Sequence, residues 1–250
     1  MAKQKGIIKL SGTLEGVNFY ILNGKPVVRK AGGGFNGETI KTKDNMVRVR
    51  ENSSEFGHCS KVKKQLRLAL LPFLTLHHDT GLHGRMVRML QELKNHDQIS
   101  ERGKRTIGNG LQTEAGRKLF TDFNFTESWN IRNTLNCDIN YNPSDYTLTL
   151  SRFDISKVKF PASATHLELK FGLLSFDFDN LKYTMIESEL LQLNKSNTLT
   201  NFILTPKEQS NATNQSFVFC GVRFHQEISG ELYPLKGDDA ITVSCLGVYP

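Results

Sequence analysis

The chain has 250 residues, of which 38% are hydrophobic and 23% are charged, and its formal net charge is +7. This length is sufficient for one large or two small domains, each able to bury a hydrophobic core without disulfides or metals. The composition excludes a wholly disordered chain. The longest apolar run, Leu68–Leu76, is about half of what a membrane-spanning helix needs, so the sequence predicts no membrane insertion.

The N-terminal segment MAKQKGIIKL contains lysines but lacks the apolar stretch and cleavage site of a signal peptide. We therefore expect synthesis in the cytoplasm without an export signal. The cysteines are widely spaced and form no CxxC pair, which predicts reduced, buried thiols rather than a disulfide framework or a zinc site. They are Cys59, Cys137, Cys220 and Cys245.

Residues 6–30 have the pattern of short β-strands separated by turns. Asn23-Gly24 is the strongest hairpin signal, because both residues tolerate the positive φ of a type I′ turn. Two or three short strands need a partner surface for stability. We expect this strand pair either to pack on the rest of the chain or to pair with another subunit.

The segment from Asp44 to Asp97 is the only long run with helical periodicity. Asp44 is a good N-cap, and Gly57 leaves open whether the first part is one long helix or two, with Ser60 capping the second. Pro72 is expected to end or kink the helix. Residues 82–98 predict a further amphipathic helix that completes a helical hairpin, and residues 99–120 predict a basic loop.

Histidines and one aspartate gather at the expected bend of this hairpin. His77, His78 and His83, with Asp79, form the densest set of metal-capable side chains. Their spacing matches no known metal motif, and histidine is also favoured at the C-terminal end of a helix dipole. We predict helix-end or surface roles for them, no bound cofactor and no metal, with a metal-dependent enzyme at His77, His78 and His83 as the weaker alternative.

From about Phe120 onward the sequence becomes β-rich. About eight candidate strands are separated by polar turns. Leu167, Leu169 and Phe171 alternate with polar residues, as in a sheet with one solvent-exposed face. Residues 121–250 therefore predict an antiparallel β-sandwich, immunoglobulin-like or jelly-roll-like. The overall prediction is an α+β fold, with residues 1–120 holding the strand pair and the basic helical region.

Charge is divided unevenly between these two parts. Residues 1–120 hold 22 Lys and Arg against 10 Asp and Glu, whereas residues 121–250 hold 10 against 15. The basic helical face predicts contact with an acidic partner, either nucleic-acid phosphate or the acidic half of a neighbouring copy. The candidate residues are Arg48, Arg50, Lys61, Lys63, Lys64, Arg67, Arg85 and Arg88.

Several N-terminal sequence features are shared with a group of uncharacterised proteins from Bacteroidota genomes, which this chain resembles. They are the MAKQKGIIKL-type start, a Gly-separated aromatic strand with Phe19 and Tyr20, a glycine-rich stretch, and an Arg-Glu-Asn…Glu-Phe-Gly segment from Arg50 to Gly57. The resemblance covers about the first quarter of the chain. It implies a bacterial or phage-borne protein, and it supplies neither catalytic residues nor a cofactor.

The absence of a convergent catalytic motif favours a non-enzymatic structural or assembly protein. Such a protein would act in several copies or within a larger particle, for example as a component of a phage-type virion or filament. Its partners would be other copies or other assembly subunits, and no small-molecule substrate is evident. The alternative is a nucleic-acid-binding protein without sequence specificity that uses the basic helical face.

Overall fold

The computed structural model describes residues 2–5, 8–32, 36–75, 79–127, 130–208 and 215–249. The chain forms two compact units, residues 1–53 and residues 54–250. The predicted domain boundary after residue 120 stays a prediction. Among the described residues, no helix is both long and apolar enough to cross a membrane.

The first unit contains an antiparallel sheet in the order β1-β4-β3-β2. Its strands are β1 (Ala2–Lys3), β2 (Gly12–Leu14), β3 (Val17–Leu22) and β4 (Lys25–Lys30). Asn23 and Gly24 have φ of 49° and 75°, so the predicted hairpin turn is confirmed. Glu15 and Gly16, with φ of 43° and 81°, make a second turn of the same kind.

A short helix, α1 (Gly37–Thr42), follows, and the side chain of Asn36 caps it by accepting from the amide of Thr39. Arg50 donates to the carbonyls of Ile40 and Lys43, which lie at the end of this helix. A turn of 3-10 helix at Asp44–Met46 then leads into α2 (Val47–Ala69). The helix therefore begins near Asp44, as predicted.

The main difference from the predicted helices lies in the basic loop. Helix α2 continues through Gly57 and Ser60 without a break, so the chain forms one long helix, the first of the two alternatives, and Ser60 is not an N-cap. The predicted break at Pro72 is confirmed: α2 ends at Ala69, and Pro72 lies in the first turn of the separate α3, where its missing N–H costs nothing. The predicted basic loop contains two helices, because Thr106 and Thr113 each cap a helix start. The helices are α3 (Leu71–Leu74), α4 (Leu82–Leu93), α5 (Ile107–Gly110), α6 (Glu114–Thr121) and α7 (Ile131–Leu135).

Two antiparallel sheets follow, ordered β10-β6-β5 and β12-β11-β7-β8, with β13 also pairing with β11 and β9 with β7. The strands are β5 (Asp138–Asn142), β6 (Thr147–Ser151), β7 (His166–Asp177), β8 (Lys182–Glu187), β9 (Leu191–Asn194), β10 (Phe202–Leu204), β11 (Gln215–Ile228), β12 (Glu231–Pro234) and β13 (Ile241–Tyr249). The long strands β7 and β11 pair over eleven residues and form the centre of the larger sheet.

The two faces of this central pair enter two different cores. Leu174 and Phe176 of β7 belong to a core that they share with helices α2, α4 and α6. Leu167, Leu169 and Phe171 belong to a second core that they share with strands β5, β6 and β10. Side chains alternate between the faces of a strand, and this alternation separates the helical layer from the smaller sheet.

Phe73 of α3 fixes the helices to the sheet. A Cβ placed on Gly221 would lie 2.7 Å from the Phe73 ring, and one placed on Gly172 would lie 2.9 Å from it. Lys170 donates to the carbonyl of Pro72, and Arg223 donates to the carbonyls of Phe73 and Thr75. The glycines thus leave room for the ring, and the two cations satisfy the helix-end carbonyls.

The predicted mixture of helices and antiparallel sheets is confirmed. The finer assignment of residues 121–250 to an immunoglobulin-like or jelly-roll-like sandwich stays a prediction.

Candidate functional site

The solvent-facing side of helices α2 and α3 carries four of the eight predicted basic residues. Cys59, Val62, Leu66 and Ala69 form the buried stripe of α2. On the opposite side, the four cations lie in one run, with exposed apolar side chains before and after it. We call this surface the basic helix face; it consists of Phe56, Lys61, Lys63, Lys64, Arg67, Leu68 and Leu71.

The basic helix face contains no acidic residue of its own. The sequence has no Asp or Glu between Glu55 and Asp79. Within the described part of the chain, no carboxylate forms an ion pair with the cations of the basic helix face. Burial and the neighbouring Arg67 lower the pKa of Lys63, whose Nζ lies 2.8 Å from the Nδ1 of His83. Mutual repulsion of these cations would be relieved by an anionic partner.

The other four predicted residues do not belong to this surface. Arg48 and Arg50 lie in the first unit, where Arg48 pairs with Glu51 at 2.8 Å. Arg85 on α4 bonds to Asp79 and to Glu127, each at 2.7 Å. Arg50 and Arg85 therefore hold parts of the chain together, and the predicted set of eight divides into smaller groups.

Arg88 lines an open groove of about 340 Å³ on the second unit. Met89, Leu119 and Phe123 give the groove an apolar floor. Arg85, Arg88, Glu92 and Asp122 surround the floor with charges of both signs, so the groove has no marked electrostatic preference.

The predicted histidine cluster is only partly described, because His77 and His78 lie outside the described residues. Asp79 is already engaged: it accepts from the amides of Gly81 and Leu82 and from Arg85. Burial opposes these bonds, but together they hold the pKa of Asp79 below its usual range. His83 contacts Lys63. Among the described residues, no three His, Cys, Asp or Glu side chains are arranged to hold a metal ion.

A buried ion network anchors the segment between α4 and α5 to α2. Glu55 is 1% exposed and accepts from Arg105, with Nε–Oε1 at 2.7 Å and Nη2–Oε2 at 2.9 Å, and also from Lys94 and from the amide of Gly103. Arg105 is the main cause that lowers the pKa of Glu55 to about 2, against the effect of burial. Lys94 and Arg105 are thus structural cations that are not available to a partner.

The four thiols do not form a reactive site. All are free, and Cys59, Cys220 and Cys245 are buried. Burial raises the pKa of Cys59 to about 11, and the neighbouring His58 accepts a hydrogen bond from the amide of Ile107 instead of activating the thiol. A nucleophilic Cys59–His58 pair is therefore excluded by the geometry.

Sequence reasoning missed a polar region on the helix-side face of the large sheet. His166 pairs in register with His225, and Glu168 with Arg223. Glu168 lies 3.6 Å from the Nε2 of His225, whose buried Nδ1 has no hydrogen-bond partner within the described residues. Burial lowers the pKa of His225, which keeps its imidazole neutral. The alternation of polar with apolar residues along both strands was the available signal.

The hairpin between β11 and β12 is a second feature that sequence reasoning missed. Ser229 and Gly230, with φ of 54° and 87°, form its turn, and Ile228 and Tyr233 are 50% and 47% exposed. We call this hairpin together with the turn after β12 the acidic hairpin; its exposed members are Glu227, Ile228, Glu231, Tyr233, Asp238 and Asp239, of which Glu227 lies on the opposite face from Ile228, Glu231 and Tyr233. Lys236 is its one cation, so residues 226–239 carry a net negative charge.

The sheet of the first unit has one almost wholly apolar face. The register places Leu14, Val17, Phe19, Ile21, Pro26 and Val28 on the same side, with Lys30 at its edge. Leu14 and Ile21 are 61% and 65% exposed. Among the described residues of the unit, Val27 is the only buried apolar side chain, and it lies on the opposite face. This sheet has no core of its own.

Comparison with known proteins gave no match: no family model, no curated protein and no solved structure is similar to this chain. The N-terminal resemblance to Bacteroidota proteins accordingly stays a prediction.

Proposed function

We propose that the protein is a non-enzymatic structural component that acts in several copies or within a larger particle, such as a phage-type virion or a filament. The observation that carries this proposal is the apolar face of the N-terminal sheet: Leu14 and Ile21 on it are exposed, and the described residues of this unit bury only one apolar side chain, that of Val27. An isolated small sheet of this kind is marginal in water, and large exposed apolar patches mark interaction sites.

The free energy available from covering this face is substantial. Two strands of six residues and one of three, about 4.8 Å apart and with about 3.3 Å per residue, present roughly 240 Å². At about 25 cal/mol per Å² of apolar surface, full burial would contribute on the order of 5 kcal/mol on each side of the contact. A partner subunit that supplies this cover would stabilise the N-terminal unit as well as the assembly.

The predicted sandwich in residues 121–250 is part of this proposal. It is supported by the second core, to which strands of both the larger and the smaller sheet contribute. A rigid β-domain of this kind suits a subunit that must hold its shape inside a particle.

The proposal is tested by measuring molar mass by light scattering across a range of protein concentrations. We expect the wild-type chain to associate and the Ile21→Glu variant to lose that association, because a carboxylate on the apolar face cannot be buried without a partner. Leu22→Glu is the matched control, since Leu22 is the next residue of β3, is also exposed at 43%, and lies on the opposite face. A wild-type chain that stays monomeric and binds no other subunit at any concentration would overturn the proposal.

Nucleic-acid binding is the alternative, and the uncompensated cations of the basic helix face favour it specifically. It predicts retardation of DNA or RNA that weakens steeply with added salt, because each phosphate contact releases counterions. No retardation at low ionic strength would remove this alternative.

A further inference from the structure

We propose that the basic helix face of one copy binds the acidic hairpin of the next copy in a head-to-tail contact. This inference rests on the proposed function, since it names the second partner surface through which copies of the chain assemble. Each surface is exposed in the same chain, so neither covers the other within one copy.

The two surfaces are complementary in charge. Lys61, Lys63, Lys64 and Arg67 supply four cations without a carboxylate in the exposed stretch of the helix. The acidic hairpin supplies four exposed carboxylates, at Glu227, Glu231, Asp238 and Asp239, against the one ammonium of Lys236. Opposed potentials of this kind steer association and disfavour the contact of either surface with itself.

The surfaces are also complementary in their apolar content. Phe56, Leu68 and Leu71 on α2 and α3 are 52%, 41% and 53% exposed, and they lie before and after the run of cations from Lys61 to Arg67. Ile228 and Tyr233 on the hairpin are exposed to a similar extent, and the register places them on the same face as Glu231. A phosphate backbone offers nothing for the three helix side chains to cover, whereas the hairpin does. The apolar side chains are the reason that we favour a protein partner over a nucleic acid.

The dimensions of the two surfaces are compatible. The helix face runs from residue 56 to residue 71, which corresponds to about 24 Å at about 1.5 Å per residue. The paired part of the hairpin has four residues in each strand, or about 13 Å at about 3.3 Å per residue. The hairpin can therefore lie along the helix and reach both the cations and the exposed leucines.

The contact joins two different surfaces and is heterologous, so repetition builds a ring or an open filament rather than a closed two-fold dimer. By itself it is smaller than a standard interface of about 800 Å² per partner. We expect it to act together with the apolar sheet face, because two linked contacts strengthen each other through a raised effective concentration.

The test is charge reversal on each surface with rescue by mixing, in the full-length chain. Lys61→Glu, Lys64→Glu and Arg67→Glu together change the charge of the helix face from +4 to −2, and Glu227→Lys with Glu231→Lys changes the charge of the hairpin from −3 to +1. We expect each reversed variant alone to associate at least about tenfold more weakly than wild type, with the loss measured by sedimentation velocity at low salt. Mixing the two variants should restore association, because each reversed surface then meets a complementary one.

Reversal of Lys104→Glu with Lys118→Glu is the matched control, since both side chains are exposed and lie outside the two surfaces. This control variant should leave association unchanged. If mixing the two reversed variants restores association, their separate losses cannot be due to a folding defect. If the helix reversal abolishes binding to a polynucleotide while the hairpin reversal changes nothing, the partner is nucleic acid and the inference is overturned. If association is lost in Ile21→Glu but survives both reversals, the proposed function stands and only the inference fails. A wild-type chain that never associates overturns both.

Discussion

Replacing Glu55 by Gln should destabilise the second unit by about 3 kcal/mol at neutral pH. Glu55 is 1% exposed, and the substitution keeps its size while removing the charge that balances the buried Lys94 and the half-buried Arg105. The pKa of Glu55 falls from 4.5 to about 2 on folding. Since each pKa unit corresponds to about 1.4 kcal/mol, the native charge contributes about 3 kcal/mol, which agrees with the cost of breaking a buried ion pair.

The contribution of Glu55 has a defined pH dependence. A carboxyl group with a depressed folded-state pKa stabilises the fold fully above its unfolded pKa, and this stability is lost as pH falls through the folded pKa. The difference between wild type and Glu55→Gln should thus be constant above about pH 5, fall to about half or less near pH 3, and vanish below about pH 2. Urea unfolding followed by circular dichroism at a series of pH values measures it.

The matched control is Glu101→Gln, because Glu101 also pairs with a lysine but is 83% exposed. Surface pairs of this kind contribute little, so we expect a change of about 0.5 kcal/mol or less. The reasoning is refuted if Glu55→Gln costs less than about 1 kcal/mol, or if the difference persists undiminished in acid.

Three further predictions concern packing and thiol chemistry. Gly221→Ala should cost about 1–3 kcal/mol in urea unfolding, because its Cβ would lie 2.7 Å from the Phe73 ring, and the added substitution Phe73→Leu should recover part of the loss. Gly57→Ala should instead stabilise the chain by about 0.5–1 kcal/mol in the same assay, since this helical position has nothing within 4 Å of the new Cβ. Thiol labelling near pH 8 should leave Cys220 and Cys245 unmodified until the chain unfolds, because burial raises the pKa of each to about 12; rapid labelling of either in the native protein would contradict this burial.

The sequence predicted those elements whose signals are local. Asn23-Gly24 specifies a type I′ turn by its tolerance of positive φ, and the structure contains that turn. Alternation in the β-rich part predicted antiparallel strands, and the helical periodicity after Asp44 predicted α2. Where two local signals disagreed, the sequence left one helix or two open: Ser60 is a good cap residue, but it lies within a continuous helix whose buried stripe of Cys59, Val62 and Leu66 needs no break there.

The candidate site was predicted only in part, because a list of basic residues does not reveal which cations are already paired. Lys61, Lys64 and Arg67 are exposed on one helix face, as their spacing on α2 requires. Arg85 was equally attractive in sequence, but it bonds to Asp79 and to the distant Glu127. The acidic hairpin was overlooked because apolar residues separate its carboxylates in the sequence. These apolar residues are exposed because β12 lies at the edge of the sheet.

The sequence by itself determined the distribution of charge along the chain and several local elements: a basic first part, an acidic β-rich second part, an amphipathic helix and a hairpin turn. These properties depend on residue type and on spacing within a few positions. The tertiary structure decided which surfaces remain free. It buried Lys94 against Glu55, packed Phe73 at the helix end against Gly172 and Gly221, and left Leu14 and Ile21 of the N-terminal sheet exposed. Burial depends on contacts between residues far apart in the chain, and spacing along the sequence does not encode them.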